Sequence, residues 1–481
     1  MDAQTTFRVI NNSAAFIGGN VVSRILKFIT ALWIIRSLSG EAYGQFSFIY
    51  VYLSFFEILV QFGSNAILTK EVTQKPEAAS RILGNALLFR LIFCFLALPV
   101  AWTLIRWLGY PMEVRQGVVL ASFQLFLTLQ AALETLYRVQ LKVIYPAVWN
   151  LIRNLLNLGF VAAAVFLKPA ILSFISAYLA SGFLALGGFA FYTRRFIRLD
   201  FRPDWALMTR LLSQSAPLLA SSYLTLLYYR IDVFMLSKMK SFLDVGYYSV
   251  AVRLTEALDI IATSLLVSLF PLLSRYIQED RASFERTVSR GFKLLLLLGL
   301  PIALGGSLVA SELTVFLFGA AYAPSAMTLR ILLWYNLFAF LGCLLANLLI
   351  AGGRQIVDAW ISLAQVIANI GLNLILIPHY SYNGAAIATV IGAFVGVAFT
   401  FFYAVRDPRI RLPIPWREAG QAALVNAVFL AIFAGWMALA DLPVLLDILL
   451  GIAIYGCLLL AFRVLRWQQA VSYLSLWRKG G

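Results

Sequence analysis

About fourteen apolar stretches, each roughly 20 to 27 residues long, fill this 481-residue chain almost completely. A helix rises about 1.5 Å per residue and a bilayer core is about 30 Å thick, so each stretch can cross it. Inside lipid the backbone must satisfy its own hydrogen bonds, and segments this long do so as helices rather than barrel strands. The expected fold is therefore an all-α polytopic membrane protein, with no room for an aqueous domain. The spans are expected near residues 14–35, 43–68, 82–108, 114–137, 146–167, 170–192, 211–236 and 247–273. The rest lie near 294–318, 326–350, 357–377, 385–403, 419–440 and 444–462.

The formal net charge is +16, which in a soluble protein would suggest nucleic acid. With 62% hydrophobic residues the positive-inside rule is the simpler reason, and no nucleic-acid partner is expected. Sorted by alternate loops, about 25 Lys and Arg fall on one side and about six on the other, which places the richer side in the cytoplasm. An even number of spans then puts both termini in the cytoplasm. Every loop on the opposite side is about a dozen residues or shorter. The first twelve residues lack a basic n-region and a small-residue cleavage site, so the first helix is expected to be retained. Cys94, Cys343 and Cys457 lie within apolar stretches at no metal-ligand spacing and read as packed thiols.

The chain repeats itself. GQFSFIYVYLSFFEI begins at Gly44 and GYYSVAVRLTEALDI at Gly246, an offset of 202 residues that also pairs Ser47 with Ser249 and Glu57 with Asp259. Six spans separate the copies, so both run through the membrane in the same direction. The pattern implies two six-helix bundles related by a pseudo-twofold axis along the membrane normal, with two helices appended. The corresponding division is 1–198, 199–405 and 406–481.

Seven bases fall inside the spans by more than about two residues: Arg24, Lys27, Arg90, Arg153, Arg230, Arg253 and Arg330. Each costs roughly 2.5 to 3.5 kcal/mol at a helix centre unless it can snorkel to a headgroup. Arg330 lies close enough to a span end to snorkel. Arg24 is about 15 Å from either end, and Lys27 shares its helix face at i+3. Asn150, Arg153, Asn154 and Asn157 make a stripe at i, i+3, i+4, i+7 that must face protein or water. Arg253, Glu256 and Asp259 share another face, as a self-neutralising ladder or a cavity lining. Glu57 with Gln61, and Gln365 with Asn369 and Asn373, add polar faces. Together these residues describe a cation-rich cavity suited to a large anion, above all a diphosphate, whose oxygens match arginine forks. Any one of them could instead bond helices together. The substrate-binding candidates are Arg24, Lys27, Arg90, Arg153, Asn154, Arg230 and Arg253; the ion-coupling candidates are Glu57, Glu256 and Asp259.

No catalytic constellation is present. His379 stands alone beyond Pro378 and is expected in an outer loop; there is no Walker loop and no Cys/His cluster, so no metal or cofactor is expected. Energy would come from an ion gradient or from the substrate's own gradient.

LSGEAYGQFSF from Leu38, YYRIDVFMLSKMKSFLDVGYYSVAVRLTEAL from Tyr228 and NLILIPHYSYNGAAIAT from Asn373 resemble recurring segments of Wzx-type polysaccharide exporters, in the multidrug/oligosaccharidyl-lipid/polysaccharide (MOP) superfamily. The resemblance covers essentially the whole chain. It implies a V-shaped, two-lobed, inner-membrane transporter working by alternating access. It also implies an oligosaccharide linked through pyrophosphate to a polyprenol, flipped to the periplasmic leaflet for surface polysaccharide such as O-antigen. Expected partners are that glycan, membrane lipids, a proton or sodium counter-ion and polysaccharide-assembly proteins, with the chain a monomer. The alternatives are a lipid II flippase or a multidrug exporter of the same superfamily, and, from another class, a membrane glycan polymerase or ligase. The last would carry its chemistry in sizeable outer loops, which this chain lacks.

Overall fold

A computed structural model describes Gly19 and residues 22–140, 142, 144–439 and 442–462. The first unit of the chain contains α1 (22–37), α2 (Gly40–Gln61), α3 (Ser64–Gln74), α4 (Ala79–Trp107), α5 (Met112–Ala121), α6 (Leu129–Val139), α7 (Ile144–Leu167), α8 (Ile171–Thr193) and α9 (Trp205–Met239). Then come α10 (Phe242–Glu279), α11 (Arg281–Phe318), α12 (Ser325–Ala351), α13 (Gln355–Arg406), α14 (Trp416–Leu439) and α15 (Val444–Ala461). Among the described residues the regular structure is all helical, as the apolar pattern requires.

Eleven helical segments are long and apolar enough to cross a membrane. One of them, α13, has 52 residues, about 78 Å if it were straight and more than twice a bilayer core. It breaks at Ser381 (φ 48°, ψ −130°), three residues after Pro378. A Cβ on Gly384 would stand 2.3 Å from the Leu376 carbonyl oxygen, so the chain turns sharply there and only glycine fits. The two arms are the expected spans 357–377 and 385–403. His379 is therefore exposed and helical beside this bend rather than in a separate loop. With α1 and with α9, which is long enough but too polar to count as an apolar span, the layout agrees with about fourteen spans. Part of the expected first span lies outside the described residues.

Two spans are not continuous helices. The second breaks at Phe62 and Gly63, both with positive φ (50° and 62°), between α2 and α3. The fourth is interrupted by seven residues of 3₁₀ helix, Ser122–Thr128, between α5 and α6. A 3₁₀ run of that length inside a span marks strain or a hinge.

Packing divides the chain into two compact units, 1–246 and 247–481. The first extends past the repeat division at 198 because α9 packs on α2, α3 and α4. Its core includes Leu83, Leu133, Tyr137 and Phe189. Here the repeat acquires a physical form. A Cβ on Gly44 would lie 1.7 Å from the Phe242 carbonyl oxygen, and one on Gly246 would lie 2.1 Å from the Gly40 carbonyl oxygen. The same offset that pairs Gly44 with Gly246 pairs Gly40 with Phe242, so the contact is reciprocal. In the second unit α11, α12 and α13 surround Phe284, Phe340, Leu344 and Ile410. The C-terminal α14 and α15 pack on α11, where Phe429 stacks on Phe433 and the Tyr455 hydroxyl donates to the Leu297 carbonyl (2.7 Å). Of the three thiols, Cys94 is buried, but Cys457 is exposed on α15 rather than packed.

Candidate functional site

Helical spacing gathers the polar residues of the first unit. Glu57 and Gln61 lie four apart on α2, Gln130 and Glu134 four apart on α6, and Asn150 and Arg153 three apart on α7, so each pair shares a face. The three faces, with Tyr178 of α8 and with Gln124 and Thr128 of the 3₁₀ segment, line a polar cavity of about 170 Å³. Glu134 gathers most of its bonds: Gln130 donates to it at 3.0 Å, Asn150 at 3.3 Å and Arg138 at 3.4 Å. Glu57 accepts from Gln61 at 3.1 Å. Arg153 donates to the Tyr178 hydroxyl at 2.6 Å with its guanidinium 5.1 Å from that ring's centre, and Tyr178 meets Tyr50 edge-on. Among the described residues no carboxylate comes within ion-pair distance of Arg153. Glu57 lies in the field of Arg153, and Lys27 in the fields of Arg153 and Arg24.

The expected site residues thus separate into groups. Arg24 and Lys27 are exposed on α1, and Lys27 feels the like charges of both Arg24 and Arg153. Asn154 is 6% exposed and does not line the cavity, and its Nδ2 has no hydrogen-bond partner. Arg90, expected on the substrate path, is wholly enclosed (0% exposed) and does not reach the cavity surface. Arg230 is half-buried on α9, away from the cavity lining. Arg253, Glu256 and Asp259 belong to the second unit. There Arg253 pairs with Glu256 at 3.6 Å, and Asp259 accepts from Asn336 of α12 at 3.0 Å. No cluster of potential metal ligands occurs among the described residues.

Sequence reasoning missed Glu134, Gln124, Gln130 and Tyr178. A signal existed for two of them: Gln130, Glu134 and Arg138 repeat at i, i+4, i+8. Glu134 lies three residues from the end of the expected span 114–137, within reach of the interface. Tyr178 and Gln124 gave no signal, because one polar residue in an apolar run has no periodicity.

The chain matches the family model described as "Polysaccharide biosynthesis protein" over residues 9–277, more than half its length, and the MatE model over 217–375. It is 23% identical to "Probable flippase AglR" of Haloferax volcanii, covering 96% of this chain and 98% of that protein. It is 23% identical to "Capsular polysaccharide biosynthesis protein CapF" of Staphylococcus aureus, over 80% of this chain and 96% of that one. Among solved structures its fold is similar to that of the lipid II flippase MurJ in an inward closed conformation (TM-score 0.78, 17% identity, 93% and 98% coverage). It is also similar to an inward-facing multidrug resistance MATE family transporter of the MOP superfamily (TM-score 0.62, 16% identity, 79% and 94% coverage). A polytopic helical fold shared with these transporters, and a family match that runs through every helix lining the cavity, lead to one statement: the chain belongs to the polysaccharide biosynthesis protein family.

Proposed function

We propose that the chain flips a polyprenyl-pyrophosphate-linked oligosaccharide from the cytoplasmic to the periplasmic leaflet of the inner membrane by alternating access. The observation that carries this reading is Arg153, held in a polar cavity inside an apolar bundle by a phenol hydroxyl, with no carboxylate within ion-pair distance among the described residues. An intramembrane cation costs at least about 2.5 kcal/mol on the mildest scale, and a passing diphosphate would offset that cost. Arg24 and Lys27 extend the positive field along α1. Pockets that enclose a whole drug-sized ligand run to about 300–1,000 Å³. A cavity of about 170 Å³ therefore takes the charged linkage, while glycan and polyprenol lie outside it. The Lys and Arg bias supports cytoplasmic termini, and the chain works as a monomer driven by a proton or sodium gradient through Glu57, Glu256 and Asp259.

Glu57 and Glu134 also face the cavity, which favours a second reading as an exporter of organic cations. One vesicle assay separates the two, because a flippase moves a fluorescent pyrophosphoryl-linked glycolipid between leaflets and leaves a cationic dye in place. Arg24→Ala is expected to abolish flipping with expression intact, and Arg24→Lys to recover part of it, since charge stays while the bidentate fork is lost. Full flipping by well-folded Arg24→Gln overturns the cationic path.

A further inference from the structure

Arg90 carries a full charge, is 0% exposed, and among the described residues has no carboxylate within ion-pair distance. Its bonds run to two helix interruptions. Nη1 donates to the Thr128 carbonyl at 2.7 Å, where the 3₁₀ segment ends. Nη2 donates to Ser64 Oγ at 3.1 Å and to Asn65 Oδ1 at 2.5 Å, just past the Phe62–Gly63 break. The chain of bonds does not stop there. Asn65 Nδ2 donates to Gln61 Oε1 at 3.2 Å, and Gln61 Nε2 donates to Glu57 Oε1 at 3.1 Å.

The direction of that chain is fixed by chemistry. A guanidinium has donors and no acceptor, so Asn65 must turn its oxygen to Arg90. Its amino group is then left for the Gln61 oxygen, and the Gln61 amino group for Glu57. Both amide dipoles point the same way, from the buried cation to the cavity carboxylate. Aligned bonds of this kind polarise one another in a low-dielectric interior.

We propose that Arg90 is a positioning residue that acts on Glu57 through Asn65 and Gln61. The relay presents Glu57 with a polarised donor, which favours its charged form, and it straps α3 to α2 across their break. When Glu57 takes a proton, the negative end of the relay disappears, every bond in it weakens, and the strap over Phe62–Gly63 slackens. Charge at the cavity is thereby joined to the geometry of the second span. The other charged or titratable groups around the cavity are Arg153 of α7, Glu134 of α6 and Tyr178 of α8, with Arg24 and Lys27 of α1 nearby; none of them belongs to the relay. The inference rests on the coupling role proposed above for Glu57.

The test reads the protonation of Glu57 directly. A hydrophobic carbodiimide modifies protonated carboxyls, and mass spectrometry counts labelled Glu57 in full-length protein at neutral pH without substrate. Asn65→Leu and Gln61→Leu each cut the relay while leaving Arg90 in place, and each should raise labelling at least about threefold. Arg90→Lys keeps a cationic donor and should stay within about twofold of the parent. Ser64→Ala removes an Arg90 bond that lies off the relay and should not change labelling. Parent-level labelling in folded Asn65→Leu and Gln61→Leu overturns the proposal, as does an equal rise in Ser64→Ala, which would mean loosened packing. Because no transport is measured, a failed flippase reading leaves the labelling result intact. A failed relay likewise leaves flipping in vesicles intact.

Discussion

Two polar regions of this molecule use the same ingredients and end differently. In the second unit Asn336, 0% exposed, donates to the Asp259 carboxylate and to the Thr255 carbonyl, each at 3.0 Å, and Arg253 pairs with Glu256 one helical turn away. There the Asp259 acid meets an amide and the Arg253 base meets an acid, while the buried Asn336 Oδ1 is left without a hydrogen-bond partner. In the first unit the acids, amides and arginine stand around about 170 Å³ of space, and Arg153 is met by a phenol. Polar groups that satisfy one another across helices hold a bundle together. Polar groups that leave capacity over, around a cavity, are prepared for something that enters.

Between these two regions, the largest expected effect falls on the cavity arginine. Arg153→Gln keeps a donor for Tyr178 but removes the charge, and flipping should fall at least about tenfold with folding unchanged. Arg253→Gln, whose charge Glu256 already balances, should fall by less than about threefold. Equal losses would erase the distinction between the two regions. The next effect concerns stability. Asn336→Leu removes the amide that donates to Asp259 and should destabilise the detergent-solubilised protein by about 2–3 kcal/mol, read as a lower melting temperature. Gln130→Leu removes bonds of the same kind beside a cavity where water replaces them, so a loss below about 1 kcal/mol is expected.

A smaller effect separates these intramembrane clusters from a polar joint outside the spans. Asp407 caps α13 and pairs with Arg354 at 2.7 Å. Burial opposes its charge, yet the N–H groups of Arg409 and Ile410, the Tyr403 hydroxyl and Arg354 outweigh burial and hold the carboxyl below its usual range. A depressed folded value means the stabilisation is present above the unfolded value, about 3.9, and is lost as pH falls through the folded one. Asp407→Asn should therefore lower stability by about 1–2 kcal/mol at pH 7, and the gap to the parent should close below about pH 4. The smallest effect is a control: Arg275→Ala breaks an exposed pair with Glu279 and should shift stability by less than about 0.5 kcal/mol.

The sequence alone determined the solvent of this protein. Apolar length needs no tertiary information, because a bilayer is about 30 Å thick for every chain, and so the helical class and the approximate span number followed at once. Glu57, Gln61, Asn150 and Arg153 were visible for a related reason, since helical periodicity puts them on faces that lipid would reject. Tertiary structure decided which of those faces meet. Arg90 and Arg153 are the same residue type, each within a span, yet packing enclosed one behind two helix interruptions and opened the other onto a cavity. It also recruited Glu134, close enough to a span end to pass as interfacial, because the helix carrying it leans against α7. Local spacing fixes the side of a helix on which a charge stands; whether that side becomes a wall, a brace or a binding surface depends on which other helix arrives there.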